Sequence, residues 1–130
     1  MVAMAIDTNG IKKTVDEAKV ELARILANCS AHICHVGMTN DVKRREYGPP
    51  YRWIRVNGTK HKGYVTEIHV IYQTTSRSEC EEAESELIEH ARALLGDFEE
   101  SGMVLGNSRR GGAGRPTSSG PHYVYVALGG

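Results

Sequence analysis

Two stretches of the chain carry apolar residues at the spacing of an α-helix. Within residues 14–28 they recur three or four positions apart, and Thr14 with Glu17 has the spacing of a capping box. The apolar positions are Val15, Ala18, Leu22, Ile25 and Leu26. This pattern predicts an N-terminal helix over residues 14–28 with a purely structural role.

The second helical pattern is the strongest in the chain and runs from Ser78 to Leu95. Ser78 and Glu81 have capping-box spacing, and Gly96 follows as a helix terminator. The apolar stripe predicted to pack on a sheet consists of Cys80, Ala83, Leu87, Ile88, Ala91, Leu94 and Leu95.

Alternation of apolar and polar residues predicts three strands. The first covers residues 31–37 and ends at Gly37, and the second covers residues 64–72. One face of the second strand is predicted to carry Tyr64, Thr66, Ile68, Val70 and Tyr72. The third strand, residues 122–128, is predicted to join an edge of the sheet.

Three connections have distinct compositions. After the first strand, either Thr39 or Asn40 is placed to cap a short basic helix that runs through Arg45. Residues 47–62 contain two prolines and an Asn-Gly pair, which predicts a loop with a turn. Residues 99–121 contain six glycines and no periodicity, so they predict a long loop rich in glycine and arginine that is functional or mobile.

These elements predict a single α+β domain over residues 1–130, with a small antiparallel or mixed sheet flanked by helices. The chain is 40% hydrophobic, which suffices for one core. No apolar run approaches the roughly 20 residues that span a bilayer, and no signal-peptide pattern is present, so we expect a soluble cytoplasmic protein without a membrane partner. Three cysteines without a CxxC pair indicate reduced thiols.

The formal net charge is zero, but the charges are segregated along the chain. Residues 43–62 contain one acid, residues 79–100 contain one base, and a second basic group follows them. The basic residues are Lys43, Arg44, Arg45, Arg52, Arg55, Lys60, Lys62, Arg109, Arg110 and Arg115. This distribution is typical either of a basic face for phosphate opposite an acidic face, or of ordinary solvated helices and loops.

Glu84 is the acid of the second helix that falls inside its apolar stripe when residues are placed 100° apart. Glu79, Glu82, Glu86 and Glu89 point away from that stripe. A carboxylate facing inward is costly unless it is paired, so Glu84 either forms an ion pair or holds a metal ion in a cleft.

The segment from His35 to Arg45, HVGMTNDVKRR, resembles the second half of the motif of the GIY-YIG nucleases. In that family a strand ending in Tyr-Ile-Gly leads into a turn and an arginine-bearing helix. The segment from Glu82 to Ala91, EAESELIEHA, resembles the family's downstream helix, whose glutamate binds a metal ion. The resemblance covers about residues 31–107.

The resemblance assigns roles to individual residues of this chain. Arg45 matches the catalytic arginine, Glu84 matches the metal-binding glutamate, and Asn107 lies where the family often has a supporting asparagine. His35 replaces the tyrosine of Tyr-Ile-Gly, and it is either the general base or a polar residue on a half-buried strand. Arginines of this kind neutralise charge on phosphate.

The family's first tyrosine motif has no match before His35, where the first helix lies. Either the C-terminal strand takes its place, as in a circular permutation, so that Tyr123 or Tyr125 supplies the phenol, or that strand only closes the sheet.

The resemblance implies hydrolysis of phosphodiester bonds in DNA, with RNA as a second substrate class, using Mg²⁺ or Mn²⁺. The alternative is an inactive module of the same fold that binds nucleic acid or protein. Residues 109–115 suit either a flexible arm on a nucleic-acid backbone or a plain disordered loop. The residues predicted to bind nucleic acid are Lys43, Arg44, Arg52, Arg55, Arg109, Arg110 and Arg115.

Overall fold

The computed structural model has a sheet and two helices in its described part, which confirms the α+β class. It describes residues 5–31, 33–40, 53–56, 59–62, 65–96, 104–105 and 121–129. In chain order the elements are β1 (Ala5–Asp7), α1 (Val15–Asn28), β2 (Ile33–Thr39), β3 (Trp53–Val56), β4 (Thr59–Lys62), β5 (Val65–Thr74), α2 (Arg77–Leu95), β6 (Val104–Leu105) and β7 (His122–Gly129).

The C-terminal strand β7 lies in the middle of a five-stranded sheet of order β1-β5-β7-β2-β6. It runs antiparallel to both β5 and β2, whereas β1 and β6 add parallel strands at the two edges. The prediction that this strand joins a sheet edge is therefore wrong. Every residue of β7 except Tyr123 is buried, and a strand covered on both faces is favoured in the centre of a sheet.

Both helices pack on one face of this sheet. Buried residues of α1 and α2 form one apolar cluster with alternate residues of β2 and β7, among them Cys34, Val36, Val124 and Val126. The intervening residues of the strands form a second cluster on the other face, made of Ile68, Val70, Tyr125 and Ala127. The sheet is therefore buried on both faces, with the helices on one of them.

Helix α1 begins where its capping box predicts. Thr14 is the N-cap, and its hydroxyl accepts a hydrogen bond from the backbone N–H of Glu17 at 3.2 Å while donating to the Glu17 carboxylate. Ala18, Leu22 and Ile25 are buried, so the predicted inward face of this helix is confirmed.

Helix α2 begins one residue earlier than predicted, and its cap is Ser76 instead of Ser78. The Ser76 hydroxyl accepts a hydrogen bond from the Glu79 N–H at 3.3 Å. Glu81, predicted to complete the box with Ser78, forms an ion pair with Arg77 at 2.8 Å. The predicted apolar stripe is buried except Leu94, which is exposed, and Gly96 ends the helix with a φ of 61°.

Replacing Ser76 with alanine removes this cap and leaves the Glu79 N–H without its hydroxyl acceptor. We expect the free energy of unfolding to fall by about 1 kcal/mol. The matched control is Ser78→Ala on the exposed first turn of the same helix. It removes the hydrogen bond between the Ser78 and Ser76 hydroxyls, 3.1 Å apart, but leaves the Ser76 acceptor in place, and it should change stability by less than about 0.5 kcal/mol. Urea unfolding of both variants measures these changes. Equal losses of stability in the two variants would contradict the assignment of Ser76 as the cap.

Strand β5 does not keep one face along its length. Ile68 and Val70 lie in the cluster on the face away from the helices, whereas Tyr72 lies in the helix-facing cluster together with Ile71. A register irregularity against β7 between Val70 and Tyr72 inserts the extra residue that reverses the alternation. The predicted common face of Ile68, Val70 and Tyr72 is wrong for this reason.

Several strand bounds also differ from the prediction. Residues 53–62, expected as loop, form the antiparallel hairpin β3–β4, with Val56 opposite Thr59 on either side of the Asn-Gly pair. Strand β2 continues past Gly37 to Thr39. Strands β1 and β6 were not predicted, and β6 places a strand inside the segment expected to be loop.

The basic helix predicted through Arg45 and most of residues 99–121 lie outside the described residues. In the part of the chain that the structure covers, neither helix is long and apolar enough to cross a membrane.

Candidate active site

Helix α2 holds Glu84 on its buried side. The residue is 5% exposed and lies on the same stripe as Cys80, Leu87 and Ile88, all of which are buried. The prediction that this glutamate faces inward is confirmed, and Glu82, Glu86 and Glu89 are exposed on the outer side of the helix. A buried carboxyl on the covered face of a sheet requires a polar partner.

That partner is the backbone of strand β2. The Met38 N–H donates a hydrogen bond to the Glu84 carboxylate, which favours the charged form. Burial and the nearby Glu81 carboxylate act more strongly in the opposite direction and raise the pKa of Glu84 to about 7. The carboxyl therefore exchanges its proton near neutral pH, as groups that transfer protons or bind cations often do.

Tyr125 of β7 lies on the other face of the sheet, directly over Gly37. The two residues are opposite each other in the β2–β7 ladder. A Cβ atom built on Gly37 would lie 2.6 Å from Cζ of the Tyr125 ring, with the hydroxyl oxygen nearer still. Because Gly37 has no side chain, it leaves room for the buried Tyr125 ring to lie directly against the backbone of β2.

His35 and Tyr123 share that face with Tyr125. His35 lies opposite Ala127 and Tyr123 lies opposite Thr39, so alternation along β2 and β7 places these side chains on the side away from the helices. His35 and Tyr123 are half-buried, and Tyr125 is 3% exposed. Residues diagonal across a ladder, such as His35 and Tyr125, have Cβ atoms roughly 7–8 Å apart.

The candidate groups thus approach β2 from its two faces. Glu84 reaches the Met38 N–H from the helix side, and the Tyr125 hydroxyl lies against Gly37 from the other side. Gly37 and Met38 are adjacent, and β2 ends one residue after Met38, at Thr39. The acid and the phenol therefore lie on opposite faces of β2 near its end, and the sheet separates the Tyr125 hydroxyl from Glu84.

The other predicted site residues are not placed by the described structure. Arg55 is on β3, where only the backbone is described. The residues outside the described part are Lys43, Arg44, Arg45, Arg52, Asn107, Arg109, Arg110 and Arg115.

Cys34 and Cys80 are buried and have no nucleophilic character at neutral pH. Burial raises the pKa of Cys34 to about 12 and that of Cys80 to about 12, and the nearby Glu84 carboxylate adds to the rise at Cys80. All three cysteines are free. A thiol held in its protonated form is a packing residue.

Within the described residues no three His, Cys, Asp or Glu side chains are grouped as ligands for a metal ion. Glu84 is therefore a single carboxylate donor there. Mg²⁺ in phosphate-processing sites commonly takes one or two carboxylates and completes its shell with water and substrate phosphate. The donor chemistry of Glu84 fits such an ion, whereas a structural zinc cluster does not fit these residues.

Sequence reasoning missed two contributors to this arrangement. The Met38 N–H is a backbone donor, which no side-chain pattern reveals. Gly37 was interpreted as the end of a strand, although a glycine inside an alternating strand often marks a close approach by another group. That signal, read with the aromatic residues of β7, could have predicted the contact.

No protein-family model, curated protein or solved structure matches this chain.

Proposed function

We propose that this protein is a metal-dependent endonuclease of the GIY-YIG type that hydrolyses phosphodiester bonds in DNA. The observation that supports this most is the buried carboxylate of Glu84 at the backbone of Met38. Met38 belongs to the segment HVGMTNDVKRR, and Glu84 belongs to EAESELIEHA. The two segments that resemble the family are far apart in the chain and meet at this hydrogen bond.

The place of β7 supports the permuted arrangement of this fold. In that arrangement, the strand with the first tyrosine lies beside the strand that ends in glycine. Strand β7 runs antiparallel to β2 with Tyr125 opposite Gly37, and its Gly129 lies opposite Ile33 at the start of β2. Tyr125, which is more buried than Tyr123, is our candidate for the missing phenol.

Each residue has a role in the proposed reaction. Glu84 would hold the divalent ion, and an ion bound there would supply Lewis-acid charge at a phosphoryl oxygen. The guanidinium of Arg45 would stabilise negative charge that develops on the phosphate. Tyr125 or His35 would accept the proton of the attacking water. Because both lie on the face of β2 opposite to Glu84, this role requires the phosphate to bind at the end of that strand.

The test is cleavage of supercoiled DNA, linear DNA and RNA by identically purified proteins in Mg²⁺ or Mn²⁺. We expect metal-dependent cutting by the wild type and a loss of about 100-fold in Arg45→Ala and in Tyr125→Phe. Tyr125→Phe keeps the ring that packs over Gly37, so its loss would report on the hydroxyl.

The matched control for the phenol is Tyr72→Phe, which removes a buried hydroxyl from the helix-facing side of the sheet. This control should cut like the wild type. Cutting that persists undiminished in both Arg45→Ala and Tyr125→Phe would reject the proposal.

The burial of Glu84 favours one alternative, an inactive module that binds nucleic acid. At 5% exposure, with the Met38 N–H as its hydrogen-bond donor, this carboxyl group is enclosed in the structure described. Binding of DNA without cutting under any metal condition would select this alternative.

A further inference from the structure

His122, the first residue of β7, is a buried histidine without a polar partner. It is 3% exposed, and within the residues that the structure describes its ring forms no hydrogen bond or ion pair. By contrast, the less buried His69 has a carboxylate at each ring nitrogen, Asp7 at 3.4 Å and Glu67 at 3.0 Å. A buried polar group without a hydrogen bond costs folding free energy, and a role in catalysis is one reason to keep such a group.

The ring of His122 lies on the same face of the sheet as Glu84. His122 is opposite Thr74 in the β5–β7 ladder, and residues opposite each other share a face. The Thr74 hydroxyl donates a hydrogen bond to the Glu79 carboxylate of α2 at 2.8 Å, so this face is the one that α2 covers. Val124, two residues after His122, packs in the helix-facing cluster, as alternation along β7 requires.

The ladder between β2 and β7 places His122 near the backbone that holds Glu84. Val124 is opposite Met38, whose N–H donates to the Glu84 carboxylate. His122 is therefore diagonal to Met38, and diagonal neighbours have Cβ atoms roughly 7–8 Å apart. Pro121, directly before His122, is exposed, so the histidine lies just below the surface at the end of the sheet. A phosphate bound at the end of β2 would have Glu84 and His122 on one side of it.

That side is where a leaving oxygen needs a proton. In a displacement at phosphorus, the attacking and leaving oxygens lie roughly in line, on opposite sides of the phosphorus atom. The proposed proton acceptors, Tyr125 and His35, lie on the face of β2 away from the helices. The leaving oxygen would then point to the helix-facing side, where His122 lies. An imidazolium can give up a proton near neutral pH, which suits a general acid.

We propose that His122 is the general acid of the nuclease reaction, the group that protonates the leaving oxygen. This inference rests on the proposed function and adds a residue to it. Water forms a bond to phosphorus and gives its proton to Tyr125 or His35. The bond from phosphorus to the leaving oxygen breaks, and its electron pair stays on that oxygen. The proton of the His122 imidazolium moves to the same oxygen, so the products are a phosphomonoester, a hydroxyl group and a neutral imidazole.

The test compares a DNA duplex with the same duplex carrying sulfur in place of the leaving oxygen, at the bond that the wild type cuts. A thiol ionises far more readily than an alcohol, so the sulfur leaves as a thiolate and needs no general acid. In Mn²⁺, His122→Gln should cut the normal duplex about 100-fold more slowly than the wild type. It should cut the sulfur duplex within about 3-fold of the wild-type rate, because the missing proton is not required there.

The matched control is His69→Gln, which removes a histidine from the same face of the sheet beside the edge strand β1. This control should cut both duplexes like the wild type. Tyr125→Phe should lose as much activity on the sulfur duplex as on the normal one, because a proton acceptor is needed whichever atom leaves. His122→Asn is a second variant with the same expected result as His122→Gln, and thermal unfolding verifies that each variant is folded.

Failure of this inference differs from failure of the nuclease proposal. If the wild type cuts, and His122→Gln and His122→Asn either cut normally or lose equal activity on the two duplexes, His122 is not the general acid and the nuclease proposal stands. A wild type that never cuts rejects the nuclease proposal and the general acid with it.

Discussion

Glu84→Gln should abolish cleavage and at the same time make the protein more stable at neutral and basic pH. Glutamine keeps an oxygen that can accept the Met38 N–H hydrogen bond, but it carries no charge. Loss of the carboxylate that we propose to hold the ion should lower cutting on the order of 10³-fold. Loss of a charge from the buried face removes a cost to folding.

The pH dependence of this gain follows from the raised pKa of Glu84. The folded protein holds the carboxyl proton up to about pH 7, whereas the unfolded chain releases it near 4.5. Stability of the wild type therefore falls as pH rises between those two values and is level above them. We expect Glu84→Gln to exceed the wild type by roughly 1–3 kcal/mol at pH 8, with the difference vanishing toward pH 5.

Urea unfolding in metal-free buffer at several pH values measures this difference. Glu86→Gln is the matched control, because Glu86 is exposed on the same helix and should affect neither cutting nor the pH dependence. If Glu84→Gln is instead less stable than the wild type at every pH, Glu84 belongs to a structural ion pair, and the active-site interpretation of this residue is rejected.

Gly37→Ala should cost roughly 2–3 kcal/mol of stability, or about 10 °C in melting temperature. The new methyl group would lie 2.6 Å from Cζ and 3.1 Å from Cε1 of Tyr125. The ring has no easy escape, because it is 3% exposed and packs with Ile68, Val70 and Ala127. Either the ring or the two central strands must move.

Gly10→Ala is the control, because its added methyl group would also lie too close to another side chain. Its methyl group would lie 2.6 Å from Oε1 of Glu21, but that atom is the end of a flexible side chain. We expect a change within about 0.5 kcal/mol. In a Tyr125→Ala background, Gly37→Ala should cost little, and losses that add fully in the double variant would show that the ring is not the obstacle.

Helical periodicity predicted the parts of this structure that depend on local spacing. It placed both helices to within a residue or two and put Glu84 on the inner face. It chose Ser78 as the cap, which is wrong, because Ser76 and Ser78 each have a glutamate three residues later and the spacing alone does not distinguish them.

The order of the strands in the sheet was harder to predict from the sequence. Alternation shows on which face of a strand a residue lies, but not which strand lies beside it. That limit explains why β7 was predicted at an edge and found in the centre. Strands of two or three residues, such as β1 and β6, are too short to show a period. The extra residue near Tyr72 reverses the alternation of faces along β5, and no residue type in the sequence indicates it.

The central position of β7 also has a consequence for how the chain folds. Strands β2 and β5 are both made before β7, yet within the described sheet each of them pairs with β7 and not with the other. At ~5–20 residues per second, a ribosome needs on the order of ten seconds to travel from β2 to β7. Until then the two halves of the sheet have unpaired edges, so the sheet assembles late and through contacts distant in sequence, which slows folding.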